Sequence, residues 1–289
     1  MSTATAIDPQ QFIQQAIRKV TSIATLPEIT SKIIRTVEDP KSTAAVLHKI
    51  VSHDPALVTR VLKVVNSAFY GLPGQIGSIE RGIVLLGLNA VKNIAVAASL
   101  GQLFRGVKFC EGYTAKDLWT HCVTVGVVAR ALSKQTKIPL ADEAFLAGMI
   151  HDIGLLVALQ TTPEQLRQVC DRAKTEERPF CEIERDVIGV DHQQLGAALA
   201  EAWKFPRSCQ LVAGYHHQPT QLSNDRTLVG LVYVADTICA QAGNGFNLTA
   251  HRQSLDATLL GELGLDSAVL EQFKTTIPAL IADAQSLFG

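Results

Sequence analysis

The chain has 289 residues, 47% of them hydrophobic and 18% charged, with a formal net charge of −1. That length suits two medium domains or one large one, and the apolar, weakly charged composition excludes a mostly disordered chain. Near-neutrality argues against a protein that coats nucleic acid or an anionic membrane.

We expect no transmembrane helix, because the most apolar run, residues 83–103, is broken by Asn89, Lys92 and Asn93. Residues 1–11 are polar, carry Asp8 and lack the basic-then-apolar order of a signal peptide. A cytoplasmic location is therefore expected. The six cysteines, Cys110, Cys122, Cys170, Cys181, Cys209 and Cys239, form no C-x-x-C pair. Buried reduced thiols are the reading that fits.

In chain order the pattern is helical throughout, and the fold class is all-α. Asp8-Pro9-Gln10-Gln11 reads as a cap and first turn, followed by Ile13, Ile17, Val20 and Ile23 on one face. Pro27 opens a second helix with Ile29, Ile33, Ile34 and Val37, and Asp39-Pro40 stops it. Ser42 caps a third helix reaching about Val51. Asp54-Pro55 starts a fourth, with Leu57, Val58, Val61, Leu62 and Val65 facing inward. Gly71, Pro73, Gly74 and Gly77 mark a loop, and further helices start near Ile79 and Asn89. No segment shows turn-bounded period-2 alternation, so no strand is placed. Residues 106–113 are a plausible boundary between an N-terminal helical subdomain, 1–106, and a C-terminal one, 107–289, that holds any site.

Six of the eight histidines lie in that second half. Asp117 and His121 stand i, i+4 on a predicted helix. His151-Asp152, His192, the pair His216-His217 and Asp236 follow. Imidazole nitrogen with carboxylate oxygen suits zinc, iron, manganese or nickel. Eight such side chains can hold one or two ions, with a carboxylate bridging, and two ions ~4 Å apart activate water against phosphate esters.

Each residue also has a plainer role. Thr114-x-x-Asp117 spells a capping box, and for Asp117 capping is the weightier reading. Asp191 beside His192 can simply cap, and His216-His217 can be solvated at a helix end before Pro219. Asp236 sits among Leu231, Val232, Val234 and Ile238, where an unpartnered carboxylate is costly. His151-Asp152 has the same problem, so the buried acids and imidazoles explain one another. His48, His53 and His251 are read as structural. The loop at residues 243–252 either covers a site or is disordered. Lys32, Arg35, Arg60, Lys63 and Arg81 read as a solvated face rather than a nucleic-acid surface.

The order His121, His151-Asp152, Asp236 resembles the HD superfamily of metal-dependent phosphohydrolases, and His192 with His216-His217 resembles its HD-GYP phosphodiesterases. The N-terminal motifs Leu26-Pro27, Ser52-His53-Asp54-Pro55-Ala56-Leu57, Val64-Val65-Asn66-Ser67-Ala68-Phe69-Tyr70-Gly71 and Leu85-Leu86-Gly87 look like the HDOD, or HD-related output, domain. So do Leu118-Trp119-x-His121, Phe145-Leu146-Ala147-Gly148 and Trp203-x-Phe205-Pro206.

The resemblance implies an all-helical bacterial signal-transduction module acting through protein partners. It also leaves room for a homodimer, and for a nucleotide or cyclic di-nucleotide ligand if the site is a phosphohydrolase. Two positions depart from the HD-GYP pattern. Leu155 stands where the phosphodiesterases carry a lysine, and Gln218-Pro219-Thr220-Gln221 replaces their Gly-Tyr-Pro signature. Loss of that lysine is expected to slow chemistry more than metal binding.

Overall fold

The computed structural model describes residues 8–23, 28–39, 41–67, 70–104 and 108–288. Leu26, Pro27, Pro40, Ala68, Phe69 and Gly106, all used in the sequence reading, lie outside the described residues, as do the side chains of Ile23 and Val37. Among the described residues the fold is all-α, with one small two-stranded sheet.

The first helices are α1 (Pro9–Ile23), α2 (Glu28–Glu38), α3 (Ala44–Ser52), α4 (Pro55–Val65), α5 (Ile79–Leu86) and α6 (Leu88–Leu100). Their caps largely follow the sequence. Asp54 Oδ1 accepts from Leu57 N at 2.9 Å, and Ser78 Oγ accepts from Arg81 N at 3.2 Å. The cap of α3 is Thr43, not the expected Ser42: Thr43 Oγ1 accepts from Val46 N, while Ser42 Oγ is buried without a hydrogen bond. The loop after α4 is pinned by Asn66, whose side chain bonds both the N–H and the carbonyl of Ile76.

A hairpin that the sequence reading did not place follows. Strands β1 (Lys108–Cys110) and β2 (Tyr113–Thr114) pair antiparallel around Gly112, whose φ is 85°. At two and three residues they are too short to show alternation.

The remaining helices are α7 (Ala115–Gln135), α8 (Ala141–Ile150), α9 (Gly154–Thr161), α10 (Pro163–Thr175), α11 (Phe180–Val187), α12 (His192–Ala202), α13 (Arg207–Tyr215), α14 (Arg226–Gln241), α15 (Ala257–Glu262), α16 (Ser267–Lys274) and α17 (Ile277–Phe288). Helix α7 runs along α8 and α14, and α12 runs along α9 and α13. These six, with the turn after α8, enclose the centre of the C-terminal half. Both chain ends reach across the molecule: α1 packs on α9 and α12, and α17 packs on α4 and α7.

One stretch departs from the expectation about apolar runs. Residues Ala141–Thr161, with a mean hydropathy of 1.5, are long and apolar enough to cross a membrane by length and composition. They form α8, a turn and α9, and 89% of the 18-residue window that sets this value is buried inside the protein. The stretch carries Asp142, Glu143, His151 and Asp152, so it is not an uninterrupted apolar run. All six cysteines are buried and free.

Candidate metal centre

Close helix contacts bring the histidines together. An added β-carbon on Gly148 would lie 2.7 Å from Gly126 Cα, so α7 and α8 touch backbone to backbone. That contact sets His121 of α7 near His151, in the turn after α8. A β-carbon on Gly154 would lie 1.9 Å from the His192 carbonyl oxygen, so α9 lies hard against the start of α12. The His-Asp-Ile-Gly run thus positions its own acid and imidazole and also admits His192.

Seven of the eight candidate residues converge. Asp152 lies between two sets of imidazoles. Its Oδ1 is 3.3 Å from both His192 Nε2 and His216 Nε2, and its Oδ2 is 3.4 Å from His151 Nε2 and 3.8 Å from His121 Nε2. His217 Nε2 joins the first set at 3.1 Å from His192 Nε2. Asp236 joins the second, its Oδ1 3.0 Å from His121 Nε2 and 3.7 Å from His151 Nε2. Asp152, His192, His216 and His217 form one group whose donor atoms all lie within 4.8 Å of one another, and His121, His151 and Asp236 form another.

Asp117 does not join them. Its Oδ2 accepts from the Thr114 N–H at 2.7 Å and from the Thr114 hydroxyl at 2.6 Å, closing the capping box of α7. The ligand role considered for Asp117 is therefore replaced by the capping role. Asp191 likewise caps α12, with Gln194 completing the box. His216 and His217 are buried rather than solvated. His48 pairs with Glu80 at the surface.

Hydrogen bonds fix the rings. The Nδ1 atoms of His151, His216, His192 and His217 face Gly148 O, Val212 O, Glu184 Oε2 and Gln253 Oε1, at 2.7, 3.0, 2.6 and 2.8 Å. An Nδ1–H donating to each acceptor leaves the Nε2 lone pair directed inward. His192 Nε2 lies 3.3 Å from His216 Nε2 and 3.1 Å from His217 Nε2. Two ligands ~2.1 Å from one ion lie ~3.0–3.4 Å apart at angles between square and tetrahedral.

Several polar atoms here make no hydrogen bond although buried: His121 Nδ1, His151 Nε2, Asp152 Oδ1 and Asp236 Oδ2. Facing lone pairs and unpaired carboxylate oxygens repel unless a cation lies among them. The donor set therefore fits one or two divalent ions, with Asp152 able to bridge them.

In the metal-free chain, protons on some of these rings take up part of the role a cation would fill. Burial would raise Asp152, but His151, His216 and His192 together hold it well below the usual carboxylate range. Asp236 is also low, burial being outweighed by its bond to His121 and by His151. Burial would lower His192, but the Glu184 carboxylate pushes it well above 6.5. His151 is raised too, Asp152 and Asp236 outweighing burial. Burial lowers His216, and burial with the neighbouring imidazoles lowers His217 further.

Residues missed from sequence complete the surroundings. Thr249 Oγ1 donates to Asp152 Oδ2 at 3.5 Å, Gln253 holds His217, and Gln193 Oε1 accepts from His217 N at 3.0 Å. Thr249 and Gln253 come from the segment after α14, so of the two readings of residues 243–252, covering a site is the one observed. Gly245 places it: φ is +63°, and an added β-carbon would lie 2.5 Å from Asp117 O. Phe246 then packs against Phe109, Tyr113 and Phe180. Glu184 did carry a signal, since it lies on the apolar face of α11 with Phe180, Cys181 and Ile183, all buried. A cleft of about 360 Å³ reaches the centre at His217, Thr249 and Gln253, with Arg178, Arg185 and Arg252 along its walls. Leu155 is fully buried.

A helical fold closed around a buried His/Asp cluster defines an HD-like class of protein. The HDOD domain family matches residues 23–219, and this chain belongs to that family. The matched span includes His121, His151, Asp152, His192, His216 and His217 but ends before Asp236. A Treponema pallidum (strain Nichols) protein, named only as uncharacterized, is 26% identical over 196 residues; the match takes in 66% of this chain and 37% of that protein's length.

Among solved structures, an HDOD domain protein of unknown function from Geobacter sulfurreducens shares 21% identity over 97% of this chain and 99% of that one, with a TM-score of 0.79. A protein of Shewanella amazonensis SB2B, provisionally named a phosphohydrolase, shares 22% identity over 94% and 97%, with a TM-score of 0.72. One of Marinobacter aquaeolei VT8, provisionally named a signal transduction protein, shares 24% identity over 96% of this chain and 65% of that one, with a TM-score of 0.75. These likenesses establish the shared fold.

Proposed function

We propose that this chain is a bacterial signal-transduction output module, acting through contact with a protein partner and built around a one- or two-ion HD-type centre with weak or no hydrolase activity. The observation that carries the metal reading is the fully buried Asp152 carboxylate between two sets of inward-facing imidazoles. The output role is supported by membership of the HDOD family and by the name of the Marinobacter neighbour. Weak or absent turnover is supported by the apolar, buried Leu155 where a cation would serve a phosphate.

A second reading, a metal-dependent phosphohydrolase, is favoured by the cleft that reaches the centre. Divalent ions supply Lewis acidity and offset charge developing on a phosphate. His217, Gln253 and Thr249 would then be the chain's own groups nearest an incoming ester.

One experiment separates the two readings. The protein is loaded with iron, manganese or nickel and assayed against nucleotides, cyclic di-nucleotides and a generic phosphodiester. The output-module reading expects bound metal and no robust turnover. Robust turnover that disappears in His151→Ala establishes the hydrolase instead.

A further inference from the structure

Four of the inward-facing rings have an Nδ1 acceptor, and the acceptors differ in charge. His151 and His216 use main-chain carbonyls, and His217 uses the Gln253 amide. His192 uses a carboxylate, Glu184 Oε2, at 2.6 Å. The same oxygen also takes the His192 backbone N–H at 3.0 Å, so one carboxylate ties the ring to its own main chain. Glu184 is 0% exposed, and its other oxygen makes no hydrogen bond.

A buried carboxylate is a costly way to satisfy two N–H groups that a neutral acceptor would satisfy. The capping box of α12, Asp191 with Gln194, leaves the His192 N–H to Glu184, but a neutral acceptor would serve that N–H as well. What a carboxylate adds, and a carbonyl does not, is basicity at the opposite ring nitrogen, together with a fixed ring plane.

We propose that Glu184 is a positioning residue that sets the affinity of the His192–His216–His217 side for its ion, separately from the His121–His151–Asp236 side. The proposal rests on the metal reading above. The separation follows from geometry: His192 Nε2 faces Asp152 Oδ1, His216 and His217 and has no place in the His121–His151–Asp236 group, while its Nδ1 side meets Glu184 and Cys181.

The test uses the full chain, stripped with a chelator and titrated with cobalt(II), whose visible absorption reports its ligands. Wild type is expected to bind in two steps. Glu184→Gln keeps the shape and an acceptor oxygen but removes the charge. It is expected to weaken one step ~10–100-fold and leave the other unchanged. Both steps unchanged, or both weakened alike, overturns the assignment. A single wild-type step that Glu184→Gln leaves untouched also overturns it. No cobalt bound by wild type at all is a different failure, that of the metal reading itself.

A measurement on the unmodified chain guards against a variant that does not fold. In long-range ¹H–¹⁵N spectra of the zinc-loaded protein, His192 is expected to carry its proton on Nδ1. A proton on Nε2 refutes the proposal.

Discussion

Gly154 and His192 meet so closely that no side chain fits between them: a β-carbon at Gly154 would lie 1.9 Å from the His192 carbonyl oxygen and 2.6 Å from Gly196 N. Helix α9 is thereby locked against α12, and His192 is delivered to Asp152. Gly154→Ala is expected to push the helices apart, costing at least ~1–3 kcal/mol, and to lower bound metal. Denaturant unfolding together with elemental analysis checks this; a variant with wild-type stability and metal content would show the contact to be slack.

Asp152 is the acid shared by both groups of imidazoles. Asp152→Asn keeps the shape and removes the charge, so both ions are expected to bind more weakly. Removing one partner of a buried charged set also costs ~3–5 kcal/mol. Chelator treatment of wild type is expected to lower the melting temperature, since an ion at ~100 times its Kd adds ~2.7 kcal/mol. The two effects should overlap: chelator should shift the melting of Asp152→Asn much less.

In the metal-free protein the four shifted histidines are expected to act on stability in opposite directions as pH changes. His216 and His217 are lowered, so below 6.5 the unfolded chain takes up protons that the folded one refuses, and stability falls with falling pH. His151 and His192 are raised, so their contribution is fully present below 6.5 and is lost as pH rises through their folded values. Because an ion must displace those held protons, metal uptake near neutrality is expected to release protons. Calorimetry in buffers of different ionisation enthalpy reads the release directly.

Gly245→Ala is expected to displace the segment bearing Thr249 and Gln253. Its φ of +63° and its approach to Asp117 O both penalise a side chain. A cost of ~1–3 kcal/mol follows, with bound metal reduced on the His217 side. Hydrogen exchange across residues 244–255 should rise; unchanged protection there would count against the role given to this glycine.

Asp117→Ala removes one member of the α7 capping box and none of the convergent donors. A loss of ~0.5–2 kcal/mol is expected, with metal stoichiometry equal to wild type. A drop in stoichiometry would return Asp117 to the ligand set.

How much of this was legible from sequence depends on the length scale of each signal. Caps such as Asp54 and the Thr114–Asp117 box are local, and spacing alone reveals them. The His/Asp set was legible because buried ionisable residues inside apolar runs demand partners. Thr249 and Gln253 carry no such signal: their partners lie 97 and 36 residues away, and only folding brings them together, whereas Glu184 shares the apolar face of α11 and was missed despite it. The β1–β2 hairpin escaped because two or three residues carry no period. Thr43 displaced Ser42 as cap because adjacent hydroxyl residues compete for one role, and sequence does not decide between neighbours.

The position of Asp152 between the two sets of imidazoles has a consequence for how such proteins change over time. Its surroundings draw on α7, α12 and α14 and on the turns after α8 and α13. An ion there would act as a crosslink between five parts of the chain, much as a disulfide does in a small secreted domain. Selection for a rigid shape alone would then retain the donors after turnover had been abandoned. An intact ligand set would then record architecture as much as chemistry, and catalysis would have to be read from what lines the approach to it.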